Sequence, residues 1–183
     1  MKMIEEAIEE FLNHFNYFKA KLNYSSLEEF IELLCSSDRV FVYGAGRAGL
    51  IGRAFTQRMM HLGLSAYYIG ETLTPALKPG DLFVALSGSG KTTSTVALAR
   101  RAKEVGGVVV AVTSKRDSPL ASIADKVILI QGKTKGDENV SLLPLSTLFL
   151  DTAQIILDAL IVGLMKKLDV REEDTLERHA NVE

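Results

Sequence analysis

Five short apolar runs recur along this 183-residue chain: 39–43 (RVFVY), 65–70 (SAYYIG), 81–87 (DLFVALS), 107–114 (GVVVAVTS) and 126–130 (KVILI). Stretches patterned as helices separate them. The runs are mostly continuous rather than alternating in polarity, as strands are when helices cover both faces of a parallel sheet. Strand and helix in repeated order predict a doubly wound parallel α/β sheet. Helices are expected at 2–22, from a Ser25/Ser26 cap onward, from the turn at 44–49 to about His61, at 91–105, briefly at 119–124, at 142–168 and from about Glu172. The length suits one domain, 1–183, with an N-terminal helical region at 1–36 and a helical tail at 142–183.

Charge and cysteine usage narrow the classes. With 21 basic and 23 acidic residues the net charge is −2, so no general positive field favours nucleic acid, and any anion must be held by a local site. The single cysteine, Cys35, excludes a disulfide framework and suits a reducing, cytoplasmic compartment; it lies in an apolar helical stretch and reads as a small core residue. Glu5, Glu6, Glu9 and Glu10 interrupt the start of the chain where a signal peptide needs an apolar core. The apolar stretch 142–168 carries Asp151, Gln154 and Asp158, which argues for a buried helix rather than a membrane span. The aromatic stripe Phe11, Phe15, Phe18 on the first helix fits packing on the chain's own domain or on a second copy.

In a doubly wound sheet, ligands bind outside the carboxyl ends of the strands, where the strand order reverses. The turns after the first three strands are therefore the places for chemistry. The first, Gly44-Ala45-Gly46-Arg47-Ala48-Gly49, has the G-x-G-x-x-G form of the dinucleotide fingerprint, with Glu71 as an acid after the second strand, though 183 residues leave no additional substrate domain. The form lets backbone approach a phosphate, or serves a tight turn alone. The third, Ser87-Gly88-Ser89-Gly90-Lys91-Thr92-Thr93-Ser94, crowds hydroxyls, a lysine and flexible backbone onto a helix start, a composition suited to a phosphate monoester. It is not a nucleotide P-loop, because Ala85 stands where that template needs glycine. After the second strand, Glu71 is placed to accept sugar hydroxyls or move a proton, or else to pair with a neighbouring arginine. His61 reads as a packed histidine, and His14 and His179 as surface residues on residue pattern alone. Residues 131–140 form a polar loop.

Taken together, GAGRAG (44–49), RMMHLG (58–63), GETLTP (70–75), SGSGKT (87–92) and RHANVE (178–183) resemble the sugar isomerase (SIS) domain family, over about residues 38–183. The resemblance implies a three-layer α/β/α sandwich with a five-stranded parallel sheet, assembled as a homotetramer. It also implies an isomerase that interconverts 3-hexulose 6-phosphate, a phosphorylated ketohexose, with fructose 6-phosphate through a 2,3-enediol, without metal or organic cofactor, nucleic acid or membrane. Carried over, Ser87, Gly88, Ser89, Gly90 and Thr92 hold the phosphate, joined by Lys91. Gly46 and Arg47 border the sugar, Glu71 lies in the pocket, and His179 reaches the active site of its own or an adjacent subunit. Two positions depart from the pattern. Ala48 replaces a common serine, and Leu150 stands where a glutamate is common, with Asp151 beside it. The catalytic base is thus open among Glu71, His179 and Asp151. A non-catalytic phosphosugar sensor, or an aldose–ketose isomerase, shares the same phosphate turn.

Overall fold

The computed structural model describes residues 1–135, 137–138 and 140–182. The elements run α1 (Lys2–Lys21), α2 (Tyr24–Ser36), β1 (Val40–Gly44), α3 (Arg47–His61), β2 (Ala66–Tyr68), β3 (Leu82–Leu86), α4 (Thr93–Glu104), β4 (Val108–Thr113), α5 (Pro119–Ile123), β5 (Lys126–Leu129), α6 (Thr147–Leu168) and α7 (Glu172–Glu177). The five strands form one parallel sheet in the order β2-β1-β3-β4-β5. Chain order therefore reverses between β1 and β3, and the carboxyl ends of those two strands open the crevice.

Side-chain alternation along each strand divides the core in two. Val40, Val42, Leu82, Val84, Leu86, Val110 and Val112 face a layer containing Phe18, Phe30, Phe55, Met59 and the inner side of α6. Phe41, Phe83, Ala85, Val109 and Ala111 face Ala99, Ala102 and Leu120 on α4 and α5. Both sheet faces are covered, which is why the strand runs lack polar alternation. The expected α/β/α sandwich of five parallel strands is what the chain forms.

Local boundaries differ where caps and edges decide them. Helix α2 starts at Tyr24 because the Asn23 side chain, not Ser25 or Ser26, accepts the free Ser26 amide at 3.1 Å. The second strand shrinks to three residues because it is an edge strand paired only with β1. Helix α4 begins at Thr93 rather than 91, since Gly90 adopts φ +62° and breaks the helical path. Cys35 is half-buried against the larger core, and burial pushes its thiol above the usual value. Helix α6 is long and apolar enough to cross a membrane by composition, yet Phe149, Ala153, Leu157, Leu160 and Leu164 are buried inside the fold.

Opposite the crevice, Arg39 and Asp81 tie the starts of β1 and β3 through a two-pronged ion pair. The Asp81 carboxylate also accepts the Lys78 amide at 2.6 Å and is 5% exposed. Removing one partner strands a buried charge, which costs roughly 3–5 kcal/mol when burial is complete. Arg39 keeps part of its hydration, so Asp81→Ala should destabilise the fold by about 2 kcal/mol in urea melts. Because the pair lies at the far end of the sheet, ligand affinity at the crevice should hold within twofold; a large affinity loss would show that the two ends are coupled.

Candidate functional site

A cleft of about 460 Å³ opens between the ends of β1 and β3. One wall is Ala45, Gly46, Arg47 and Ala48; a second is Leu86, Ser87, Gly88, Ser89 and Thr92; the third is Lys135, Leu145, Ser146, Phe149 and Leu150. Gly46, Thr92 and Ser146 are the N-cap residues of α3, α4 and α6, and no side-chain hydrogen bond from them caps these helix starts. Three helix N-termini therefore converge on one cleft. Each brings free amides and about half a positive charge, so the cleft is built for an anion even though the molecule as a whole is acidic.

The glycines of the first turn have separable roles. A Cβ on Gly49 would lie 2.5 Å from the Gly44 carbonyl oxygen and 2.6 Å from the Tyr68 hydroxyl, so this glycine lets α3 pack on β1. The Tyr68 hydroxyl in turn donates to the Gly44 carbonyl at 2.6 Å, fixing the strand end. Gly46 and Arg47 line the cleft, and the Arg47 guanidinium donates to Thr147 Oγ1 at 3.2 Å, bridging the starts of α3 and α6.

In the third turn the peptide between Gly88 and Ser89 is aimed by its neighbours. The Gly88 carbonyl accepts from the Ser114 amide at 3.0 Å, Ser114 Oγ at 2.9 Å and Thr113 Oγ1 at 3.1 Å. In a trans peptide the next N–H points the opposite way, so the Ser89 amide turns toward the cleft. The hydroxyls of Ser87 and Thr92 lie 2.9 Å apart and Ser89 Oγ accepts the Lys91 amide at 3.3 Å, which gathers three hydroxyls on one wall. Lys91 does not line the cleft. It lies with Arg100, Arg101 and Glu104 along the outside of α4.

The three candidate bases do not meet in the cleft of one chain. Glu71 is exposed beyond the edge strand and accepts from Arg53 Nε at 2.8 Å, while Arg53 sits 4.0 Å over the Tyr68 ring. Asp151 is exposed: its neighbour Leu150 is the residue facing the cleft, and consecutive helix positions point about 100° apart. His179 packs against His61 with the rings tilted by 32° at a centroid distance of 5.2 Å, at the far end of α3. Arg47 and His61 begin and end that helix, about 21 Å apart at 1.5 Å per residue. Among the described lining residues there is neither carboxylate nor imidazole, and Ala48 and Leu150 both fall inside the cleft.

His61 is buried, and burial, followed by the nearby His179 and Arg58 charges, pushes its pKa below the ordinary 6.5. The native protein thus refuses a proton that the unfolded chain accepts, so stability falls as pH drops through about 6.5 toward the depressed native value. Asp125 and Asp137, both held below the usual carboxylate range, add acid sensitivity only at lower pH. Melting temperature should decline between pH 7 and 5, and His61→Gln should flatten that decline. An unchanged slope in the variant would contradict the assignment.

Sequence reasoning missed most of the third wall. Leu150 is marked only by the family resemblance, as the position where a glutamate is common. Lys135 sits in a stretch readable only as a polar loop, and Ser146 and Phe149 open an otherwise apolar helix; no local pattern marks them as ligand-facing.

The SIS domain model matches residues 33–155, which spans the sheet and all three walls of the cleft. A protein of Archaeoglobus fulgidus is 44% identical over 186 residues, covering 100% of this chain and 98% of that protein. The 3-hexulose-6-phosphate isomerase of Bacillus subtilis is 36% identical over 181 residues, covering 97% of this chain and 98% of the relative. A crystal structure from Methanococcus jannaschii, for which a molecular function of 3-hexulose-6-phosphate isomerase was inferred, superposes with a TM-score of 0.84 at 31% identity, covering 97% of this chain and 98% of that one. With the parallel sheet, the crevice between β1 and β3 and a family match over two thirds of its length, this chain belongs to the SIS domain family.

Proposed function

We propose that this protein is a phosphosugar isomerase that interconverts 3-hexulose 6-phosphate and fructose 6-phosphate. The observation that carries this reading is the cleft itself. Three helix N-termini, the hydroxyls of Ser87, Ser89 and Thr92, and Arg47 converge where a phosphate monoester and its sugar fit, in a chain whose full-length relatives bear that enzyme's name.

The reaction moves a ketone from C3 to C2. A base removes the C2 proton while the C3 carbonyl oxygen gains one, giving a 2,3-enediol. The C2 hydroxyl then loses its proton as C2=O forms, and C3 is protonated. One well-placed base serves both transfers and contributes roughly 10²–10⁴-fold. The amides at the helix starts and Arg47 stabilise the developing negative oxygen, and the gripped phosphate fixes the carbon chain against the base.

Since no base lines one chain's cleft among the described residues, a second copy supplies it in this reading. His179 of a second copy is the acid–base group, and a carboxylate, Glu71 or Asp151, assists. Glu71, His179 and Asp151 are all exposed, Glu71 within its ion pair with Arg53. A homotetramer gives every cleft such a neighbour, and the half-buried Phe11 and Phe15 beside the exposed Ile4 and Ile8 offer an apolar surface for association. No resident metal or organic cofactor enters this chemistry, and the ribulose monophosphate pathway of the cytoplasm is its setting.

The deciding experiment supplies 3-hexulose 6-phosphate and measures fructose 6-phosphate formed. Turnover supports the isomerase. The missing base in a single chain favours one second reading, a sensor that binds without reacting, and saturable binding of fructose 6-phosphate with no turnover of any hexulose phosphate would establish that instead.

A further inference from the structure

We infer that Lys135, not Lys91, is the lysine that reads the phosphate charge, which makes it a specificity-determining residue of the site proposed above. Lys135 lies on the third wall of the cleft, across from the Ser87–Thr92 turn, whereas Lys91 turns to the outside of α4.

The described residues beside Lys135 are hydrogen-bonded in place. Thr134, its neighbour, is 1% exposed, and its amide and hydroxyl both donate to the Asp137 carboxylate, at 2.8 and 3.1 Å. Lys115 Nζ holds the same carboxylate at 2.8 Å, and this ion pair is the largest influence keeping Asp137 below the usual carboxylate range. Thr134 also packs directly on the phosphate turn: a Cβ on Gly88 would meet its methyl at 2.9 Å. One residue further, the Lys135 amide donates to Ser146 Oγ at 3.1 Å, tying the loop to the start of α6.

Helix α1 clamps the two ends of this loop from outside. His14 Nε2 donates to the Gln131 carbonyl at 3.1 Å, and Glu10 accepts from Ser141 Oγ and from the Leu142 amide, the latter at 2.9 Å. The chain is therefore tied on either side of Lys135, while its side chain is exposed and forms no ion pair among the described residues. An exposed, unpaired cation on an anchored backbone, beside amides that favour an anion, adds charge to the site. That suits a phosphate dianion over the neutral hydroxyl of an unphosphorylated sugar.

The test uses the full chain and two probes, inorganic phosphate and fructose 6-phosphate, titrated calorimetrically against wild type, Lys135→Ala, Lys135→Arg and Lys91→Ala. Lys135→Ala should weaken both probes about tenfold, as expected for one charge-assisted contact. Lys135→Arg should stay within about threefold of wild type, Lys91→Ala should be unchanged, and the melting temperature of Lys135→Ala should not move, because no buried contact is lost. Equal affinity in wild type and Lys135→Ala overturns the inference, as does an equal loss in Lys91→Ala, a failure of arginine to substitute, or no phosphate binding by wild type. Turnover of 3-hexulose 6-phosphate by wild type is read separately. A protein that binds phosphate through Lys135 but converts no hexulose phosphate would sink the isomerase reading alone.

Discussion

His179→Ala should lower kcat on 3-hexulose 6-phosphate by roughly 10²–10⁴-fold, the range expected for a lost acid–base group, while the KM stays within about threefold. The split follows from placement. His179 lies about a helix length from the cleft of its own chain, so removing it takes nothing away from the walls proposed to hold the phosphate. The same placement makes a stronger demand, because its own cleft is out of its reach. Mixed assemblies of His179→Ala with a phosphate-turn variant, Ser89→Ala/Thr92→Ala, should regain activity that neither shows alone. With random mixing, about a quarter of the clefts combine an intact turn from one copy with an intact histidine from another. Recovery near that fraction supports donation between copies. No recovery after verified exchange of subunits would mean that His179 acts elsewhere or not at all.

Gly90→Ala should cost about 4 kcal/mol and abolish phosphate binding. Gly90 holds φ +62°, where a side chain costs roughly 1–2 kcal/mol. The added Cβ would also press into Ser118 Oγ and Cβ. Ser118 cannot simply retreat. Its hydroxyl donates to the Lys115 carbonyl at 2.8 Å, accepts the Ala121 amide at 3.3 Å as the cap of α5, and is 2% exposed. Overpacking of this kind costs about 1–3 kcal/mol, and a lost cap about 1 kcal/mol more. For a chain of this length the total lowers Tm by roughly 10 °C. Gly80→Ala is the control. Gly80 also has positive φ, +86°, but no atom lies within 4 Å of its added Cβ, so only the backbone part, about 1 kcal/mol, should appear. Equal losses in both variants would show that the turn is not packed against α5 in the way described.

The site was unevenly legible in the sequence. Gly46 and Arg47 in the first turn, and Ser87, Ser89 and Thr92 in the third, could be read as ligand-facing because their composition is unusual and the strand–helix pattern says which end of the sheet is open. Lys91 belonged to the same motif, yet the helix geometry after Gly90 sends it to the outer face of α4. Glu71 could be read either as a pocket carboxylate or as half of an ion pair; the chain shows the Arg53 pair. The rest of the third wall, Leu150 apart, was illegible for a plain reason. Leu145, Ser146 and Phe149 reach the cleft only because α6 packs into the core on one sheet face and delivers its own N-terminus to the crevice, and the Lys135 backbone is tied to that N-terminus through Ser146.

What the sequence determined by itself was the periodicity: five apolar runs short enough to be strands, continuous enough to be covered on both faces, and spaced widely enough for helices between them. Those are local properties, and local propensity with burial is sufficient to specify a parallel sheet and its open end. The tertiary structure alone decided the strand order, and with it that the ends of β1 and β3, 42 residues apart in the register Gly44–Leu86, form one crevice. It also decided that three helix starts point into that crevice while the candidate bases point out of it. Such facts arise from distances across the fold between residues far apart in the chain, and no spacing along the chain encodes them.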